Sequence, residues 1–468
     1  MASAVQMPEL IDNSDLMRVN LNPYGASKIK NLEKLPDSIQ RKLEKAKEIL
    51  AGDSHIISKA NYPTVYITSD IHADLRKFIQ LLIAAGIIKY TDDATTKDIN
   101  DNIMTIDLIP NTYVTDFNWI APNGTLLIII GDLVDGSRGS PWDVMDIVGN
   151  IELLLHIFLY NLRIKARTTN NSEVRFTIGN HDMSTVFYKS ADWVYDKYVH
   201  NKAKDFFNIN SNAFNNRKNC LLPFYKCCPY LFLTLDTEII CVHGGLRDTN
   251  PSTLNFQSDL DEIQKKIQSS NDLEKTINNE LNPDAKNYSI TPNANPFWTK
   301  YYAENPSATI CVPTLGDFND QKYKFVVVGH CPTDMDTDKD KRQHLDEILQ
   351  TYKNKHNDNA RCDKGGCVLI GCETDIGPRL AFVDIGMSSA FGNVGSKDNT
   401  RRAEFLLLKN DLTKSTENRF YNQVSRVQVG GGGTETLPMW KEQTPAPAPA
   451  PASASAPAPA PAPAPASA

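Results

Sequence analysis

The apolar positions of this chain follow two rhythms. From Leu35 to Leu50, Ile39, Leu43, Ala46 and Ile49 recur at helical spacing with charges between them, which predicts an amphipathic helix. Pro36 and Asp37 suit its start. Asp74 to Ala85 repeats the pattern through Leu75, Phe78, Ile79 and Leu82, and Gly86 is placed to end it. The second rhythm is the short β-rich run. Thr64 to Ser69 is one, and Leu126 to Ile130 is wholly apolar, as in a strand covered on both faces. Val174 to Ile178 reads as another strand, with Asp143 to Ile164 helical before it. Leu231 to Leu235 and Glu238 to Val242 read as a hairpin turning at Asp236 and Thr237. Phe325 to Val328, Val368 to Gly371, Leu380 to Val383 and Phe405 to Leu408 complete the strands. Parallel units early and hairpins late predict an α/β fold with a mixed central layer.

This pattern divides the chain into an N-terminal extension with one amphipathic helix (1–60), a main domain (61–425) and a tail (426–468). The extension is expected to pack on the main domain, with an exposed arm as the other reading. The tail opens on Gly430 to Gly433 and becomes almost wholly Pro and Ala from Thr444. Such a segment has too little apolar area to offset ordering entropy, so it reads as an extended, disordered spacer. Two stretches stand out as insertions. One is the polar run from Tyr90 to Asn123; the other lies between His243 and His330 and contains Phe297 and Trp298. Their aromatics, and Tyr188, Trp193, Tyr195 and Tyr198, read as local core before pocket lining.

Charge narrows the functional classes. The 468 residues are 41% hydrophobic and 22% charged, with a formal net charge of −7. A mildly acidic chain has no global field to attract nucleic acid or an anionic membrane. No run approaches the ~20 apolar residues of a membrane span, and Met1 to Leu16 does not read as a signal peptide. These features predict an intracellular, cytoplasmic protein with no nucleic-acid or membrane partner. The nine cysteines form no Cys-x-x-Cys pair and read as reduced, mostly buried thiols; the even spacing of Cys362, Cys367 and Cys372 is a weak pointer to zinc.

Candidate chemistry gathers where the apolar runs stop. Ser69-Asp70-Ile71-His72 follows the first strand, and Gly131-Asp132-Leu133-Val134-Asp135 follows Ile130. Gly179-Asn180-His181-Asp182 follows Ile178, His243-Gly244-Gly245 follows Val242, and Gly329-His330 follows Val328. In open α/β sheets, ligands bind just beyond the carboxyl ends of strands, where side chains from separate strands converge. Carboxylate, imidazole and amide oxygen suit zinc, iron or manganese. On a regular strand Asp70 and His72 would share a face. Each block alone is weak evidence, because a lone histidine after an apolar strand is more often a satisfied core residue. Four of the nine histidines fall in these blocks, and packing does not account for all five blocks at strand ends.

Together the blocks resemble the signature of calcineurin-like metallophosphoesterases. Gly131-Asp132-Leu133-Val134-Asp135 and His243-Gly244-Gly245-Leu246 lean towards the phosphoprotein (serine/threonine) phosphatase branch, as does Phe382-Val383-Asp384-Ile385-Gly386. Pro332 stands where many general phosphoesterases have a second histidine. The resemblance implies an α/β/β/α sandwich of two mixed sheets flanked by helices, spanning the 61–425 domain. It also implies two divalent metal ions, Mn, Fe or Zn. Asp70, His72 and Asp132 would hold the first, and Asp132, Asn180, His243 and His330 the second. His181 would be the histidine general acid, oriented by Asp135. The implied reaction is hydrolysis of phosphomonoesters, foremost phosphoserine and phosphothreonine in proteins, by a water activated between the metals; a small phosphoester is the other substrate class.

The chain also departs from the branch. Asp135 is followed by Gly136-Ser137-Arg138-Gly139 where the branch continues with Arg-Gly. Arg138 is therefore a candidate for phosphate contact, with an exposed loop arginine as the equal alternative, and Arg247 is a weaker candidate. Asp182 stands where protein phosphatases typically carry Glu. These differences keep two other readings open: a nucleotide or dinucleoside polyphosphate hydrolase of the same fold, and a catalytically inactive scaffold.

Overall fold

The computed structural model describes residues 7–19, 34–50, 52–93, 95, 112–134, 145–187, 211–236, 238–245, 256–281, 297, 325–330, 369–371, 380–384, 404–409 and 423–428. The Pro/Ala tail, Cys362, Cys367, Cys372, Tyr188, Trp193, Tyr195, Tyr198 and Trp298 lie outside these residues.

Two mixed sheets form the core. Strands are numbered in chain order. β1 is Ile56–Ile57, β2 Thr64–Ser69, β3 Ile88–Tyr90, β4 Phe117–Trp119, β5 Thr125–Ile130 and β6 Glu173–Thr177. β7 is Phe232–Leu235, β8 Ile239–Val242, β9 Phe325–Val328, β10 Leu369–Gly371, β11 Leu380–Phe382, β12 Glu404–Lys409 and β13 Gln423–Gln428. One sheet runs β13-β12-β2-β5-β6 and the other β1-β7-β8-β9-β11-β10. β2, β5 and β6 are parallel, and β12 returns antiparallel beside β2. In the second sheet the β7–β8 hairpin turns as expected, while β9 lies parallel to both β8 and β11. The late half is therefore not hairpins alone.

Each parallel connection buries its own apolar face. Every residue of β5 is buried, as its unbroken apolar run requires. The helix after β2, Leu75–Ala84, is capped at its start by the Asp74 side chain, which accepts from the Lys77 N–H at 3.1 Å. It ends at Gly86, whose φ of 67° lets the Ile87 N–H reach back to the Leu82 carbonyl at 2.9 Å. The helix before β6 spans Met145–Asn170 and ends six residues past Ile164, where the apolar pattern stops.

The N-terminal segment is part of this core. Helix Asp37–Leu50 buries Ile39, Leu43, Ala46 and Leu50 against helix Ser211–Cys227. Each of the Ile and Leu side chains stabilises by about 1.5–3 kcal/mol when buried, and Ala46 by less. β1 extends the second sheet by pairing parallel with β7. At the other end β13 runs to Gln428, so the first sheet continues past position 425. The polar run from Tyr90 to Asn123 contains core too: Tyr113, Val114, Phe117 and Trp119 are buried, and β3 and β4 pair into a small ribbon. Phe297 is also buried. The described cysteines, Cys220, Cys227, Cys228 and Cys241, are all buried thiols. No helix among the described residues is long and apolar enough to cross a membrane.

Candidate metal centre

The two sheets meet at the carboxyl ends of β2, β5, β6, β8 and β9, and there the chain leaves its usual backbone regions. Asp70, His72, Ala73, Asp132 and His330 have φ of 53°, 45°, 58°, 52° and 67°. Left-handed backbone costs an L-residue about 1–2 kcal/mol, and such strain clusters at functional sites. Asp70 and His72 thus do not share a strand face; both sit in a tight left-handed turn beyond β2. That turn is held by ladder bonds continuing past the strands: the His72 N–H donates to the Asp132 carbonyl at 2.9 Å, and the Ala73 N–H to the Leu133 carbonyl at 2.9 Å.

Close approach of the turns requires glycine. A Cβ on Gly131 would lie 2.6 Å from the Gly179 Cα and 2.9 Å from His243 Nδ1. One on Gly179 would collide with the backbone N and carboxylate of Asp132. The glycines preceding Asp132 and Asn180 therefore let β5 and β6 bring these residues together.

All six expected ligands converge. Asp70, His72 and Asp132 offer donor atoms within 4.8 Å of one another, and so do Asp132, His243 and His330, so Asp132 belongs to both groups. His243 Nε2 lies 3.3 Å from Asp132 Oδ1 and 2.8 Å from Asn180 Oδ1. His72 Nε2 lies 3.8 Å from both Asp70 Oδ1 and Asp132 Oδ2. The sheets are cross-linked at this point, because the His330 N–H donates to Asp70 Oδ2 at 3.0 Å.

Two histidines have their tautomers set by the backbone. His72 Nδ1–H donates to the Val134 carbonyl at 3.1 Å, and His243 Nδ1–H to the Ile130 carbonyl at 2.9 Å. A carbonyl only accepts, so in the neutral ring Nε2 carries the lone pair and faces the cluster. That is the arrangement by which a second contact orients a metal-binding imidazole.

The electrostatics call for cations. Asp70 Oδ1 and Asp132 Oδ2 are buried and accept no hydrogen bond from the described residues. Their ion-pair partners among the described residues are histidines alone. Burial and the neighbouring Asp384 and Asp132 hold the Asp70 carboxyl well above its usual range. Burial opposes charge on Asp132 as well, but His243 and His181 outweigh it and hold that carboxyl well below. Burial disfavours the His243 cation, yet Asp132 and Asp70 push its pKa up to about 10. The proton that these carboxylates hold on the His243 ring must leave before its Nε2 can bind an ion. Buried carboxylate oxygens without donors, facing lone-pair nitrogens, fit divalent ions of the oxygen- and nitrogen-binding kind.

The family follows from the sequence that builds this centre: residues 63–334, more than half of the chain, match calcineurin-like phosphoesterase. The chain belongs to the calcineurin-like phosphoesterase family. Members of this family use divalent metals and hydrolyse phosphoesters. Solved structures similar to this calcineurin-like phosphoesterase include three from microorganisms. A cold-active protein-tyrosine phosphatase of a psychrophilic Shewanella is 16% identical over 82% of this chain and 87% of its own, with a TM-score of 0.41. A protein serine/threonine phosphatase from Saccharomyces cerevisiae is 13% identical over 81% and 87%, with a TM-score of 0.36. A metallophosphoesterase from Sphaerobacter thermophilus is 13% identical over 74% and 84%, with a TM-score of 0.26. No curated protein matches the chain.

His181 stands beside the cluster. Its ring meets His72 edge-on at 5.0 Å between centroids, its Nε2 is 3.9 Å from Asp132 Oδ2, and its backbone N–H donates to Asp132 Oδ1 at 2.9 Å. Asp135, Arg138 and Arg247 lie outside the described residues. One residue near the centre is named in the sequence only within the Phe382–Gly386 block and given no role there. Asp384 is fully buried two residues beyond β11, whose pairing of Phe382 with Val328 places it level with His330. The acid ending a β-rich run at Val383 was the available signal, and it matches that of Asp70 after Ser69.

Proposed function

We propose that this phosphoesterase binds two divalent ions, one at Asp70, His72 and Asp132 and one at Asp132, Asn180, His243 and His330, and hydrolyses phosphomonoesters. The observation that carries the reading is Asp132: a single buried carboxylate common to both donor groups, with Oδ2 accepting no hydrogen bond from the described residues. Bound there, divalent ions supply Lewis-acid charge and a water that ionises near neutral pH.

The protein's side chains do the rest. Asp132, with Oδ1 towards His243 and Oδ2 towards His72, would be the ligand common to both ions. His72 and His243, locked through Nδ1, keep their Nε2 lone pairs aimed inward. His181 lies beside Asp132 and outside both donor groups, and is proposed to give a proton to the departing alkoxide. Asp135 is proposed to orient its ring, and Arg138 and Arg247 to contact phosphate. Phosphoserine or phosphothreonine in proteins is the proposed substrate, on the resemblance of the 131–135 and 243–246 blocks to the protein phosphatase branch. Gly136 in place of that branch's arginine keeps a nucleotide or dinucleoside polyphosphate as the second reading.

The test is elemental analysis of the purified protein with turnover of phosphopeptides, nitrophenyl phosphate and diadenosine polyphosphate, before and after chelation. Two equivalents of metal, phosphopeptide turnover lost on chelation, and a His181→Ala variant that keeps metal but loses about 10²–10⁴ in rate are expected. Preference for the diadenosine substrate would favour the second reading. A metal-free protein inert on all substrates would sink both.

A further inference from the structure

Asp182 lies directly behind the centre, and none of the roles above uses it. It is fully buried. Its Oδ1 accepts from the Leu133 N–H at 2.9 Å, the Val134 N–H at 3.3 Å and the Tyr225 hydroxyl at 2.8 Å. Its Oδ2 accepts from the Gly179 N–H at 2.8 Å. Leu133 and Val134 follow Asp132, and Gly179 precedes Asn180 and His181. One carboxylate therefore ties the turn that presents Asp132 to the turn that presents Asn180 and His181.

We propose that Asp182 is a positioning residue for the metal centre, held in register by Tyr225, and that this pair sets the distance between Asp132 and the Asn180–His181 turn. The proposal rests on the reading of that centre as a metal site. The bonding is specific to a carboxylate, because both oxygens face only donors. An amide at 182 must turn its NH₂ against one set of them. Turned towards Gly179, it keeps Leu133, Val134 and Tyr225 but breaks the tie that carries Asn180 and His181. Tyr225 is itself fixed from outside the site. It comes from helix Ser211–Cys227, and its ring packs against His156, Phe187 and Phe176 at 5.1, 5.5 and 5.9 Å between centroids. A phenylalanine there keeps the ring contacts and removes only the donor. Helix Asp37–Leu50 packs against the same helix, and the Cys227 thiol donates to the Leu43 carbonyl at 3.4 Å, so the N-terminal segment braces the element that supplies this hydroxyl.

The experiment compares full-length wild type, Tyr225→Phe, Asp182→Asn and Tyr230→Phe. The last removes a different buried hydroxyl, which donates to the Asp53 carbonyl at 3.1 Å at the other end of β6. For each, kcat and KM on nitrophenyl phosphate, affinity of the chelated protein for Mn²⁺, the visible spectrum with Co²⁺ and the melting temperature are measured. Tyr225→Phe and Asp182→Asn are expected to lose about 10- to 100-fold in kcat or Mn²⁺ affinity, as partners behind metal ligands do, with KM near wild type and an altered Co²⁺ spectrum. Tyr230→Phe is expected to lose melting temperature alone. If Tyr225→Phe and Asp182→Asn lose only melting temperature and keep wild-type kcat, affinity and spectrum, the pair is structural and the proposal is overturned. Should Asp182→Asn not fold, Tyr225→Phe decides alone. A wild type that takes up no divalent metal would overturn the metal reading itself, and this proposal with it.

Discussion

The parallel sheet of β2, β5 and β6 has buried carboxylates beside both ends of its strands, and the two ends are treated in opposite ways. At the start of β6, Glu173 is met by Arg163 at 2.9 Å, by Arg167 and by Arg175 at 3.4 Å, and Asp53 joins the same three arginines. Burial would raise the Glu173 pKa, but Arg163, Arg175 and Arg167 outweigh it and lower it to about 2. At the other end, roughly 13 Å along the strand, Asp70 and Asp132 have only histidines as ion partners among the described residues. The chain supplies its own cations where the role is structural and leaves the charge open where an external cation is to bind. A buried carboxylate cluster is therefore not in itself a metal site; the kind of partner it has distinguishes the two.

This contrast can be broken experimentally. The largest stability effect is expected from Glu173→Gln, which leaves three guanidinium groups gathered around Asp53. Removing one side of a buried ion network costs about 3–5 kcal/mol, to be read by urea unfolding with the metal centre loaded. A loss below about 1 kcal/mol would show that the arginines are satisfied without it. Next comes metal itself. Mn²⁺ at a hundred times its dissociation constant should stabilise the chelated wild type by about 2.7 kcal/mol for each site filled and give Asp132→Asn much less. Equal gains in both would place the ion elsewhere.

The acid limb separates the two ends by pH. The folded-state pKa of Glu173 is about 2, below its ordinary value of 4.5. Its contribution is fully present above about pH 4.5 and is lost as pH falls through about 2. Wild type should lose stability across that window more steeply than Glu173→Gln. The smallest effect belongs to Asp70→Asn in the chelated protein. It removes a carboxyl already driven towards its neutral form by burial, Asp384 and Asp132, so stability should stay within about 1 kcal/mol of wild type and lean upward. A loss comparable to that of Glu173→Gln would erase the distinction between the two ends.

The legible part of the molecule was the part with local cause. β2 matches the expected run residue for residue, and β5 and β9 follow theirs within one residue, because unbroken β-rich runs between turn residues have one strong local reading. Helix Asp37–Leu50 was legible from its apolar face, although Leu50 rather than Ile49 is the fully buried end of it. Helix Ser211–Cys227 was not. It contains Pro223 and many asparagines and has no clean apolar stripe, so tertiary packing outweighs propensity there. β1 is two residues long and exists only because β7 offers it an edge.

At the site the same division holds. Asp70, His72, Asp132, Asn180, His243 and His330 could be named in advance because the blocks that hold them follow strands, a local property, and because those blocks together resemble the metallophosphoesterase signature. Their convergence, the left-handed turns that aim them, the pairing of β12 back with β2, the Asp182–Tyr225 tie and the Glu173 network were decided only by the tertiary structure. Most of those features depend on residues tens to hundreds of positions apart, such as Asp53 with Arg163 and Asp70 with His330, and no periodicity along the chain encodes such contacts. The sequence alone determined which chemical groups stand at the strand ends. Folding determined which of those ends meet, because burying two sheets against each other leaves one arrangement in which the glycines let the turns touch.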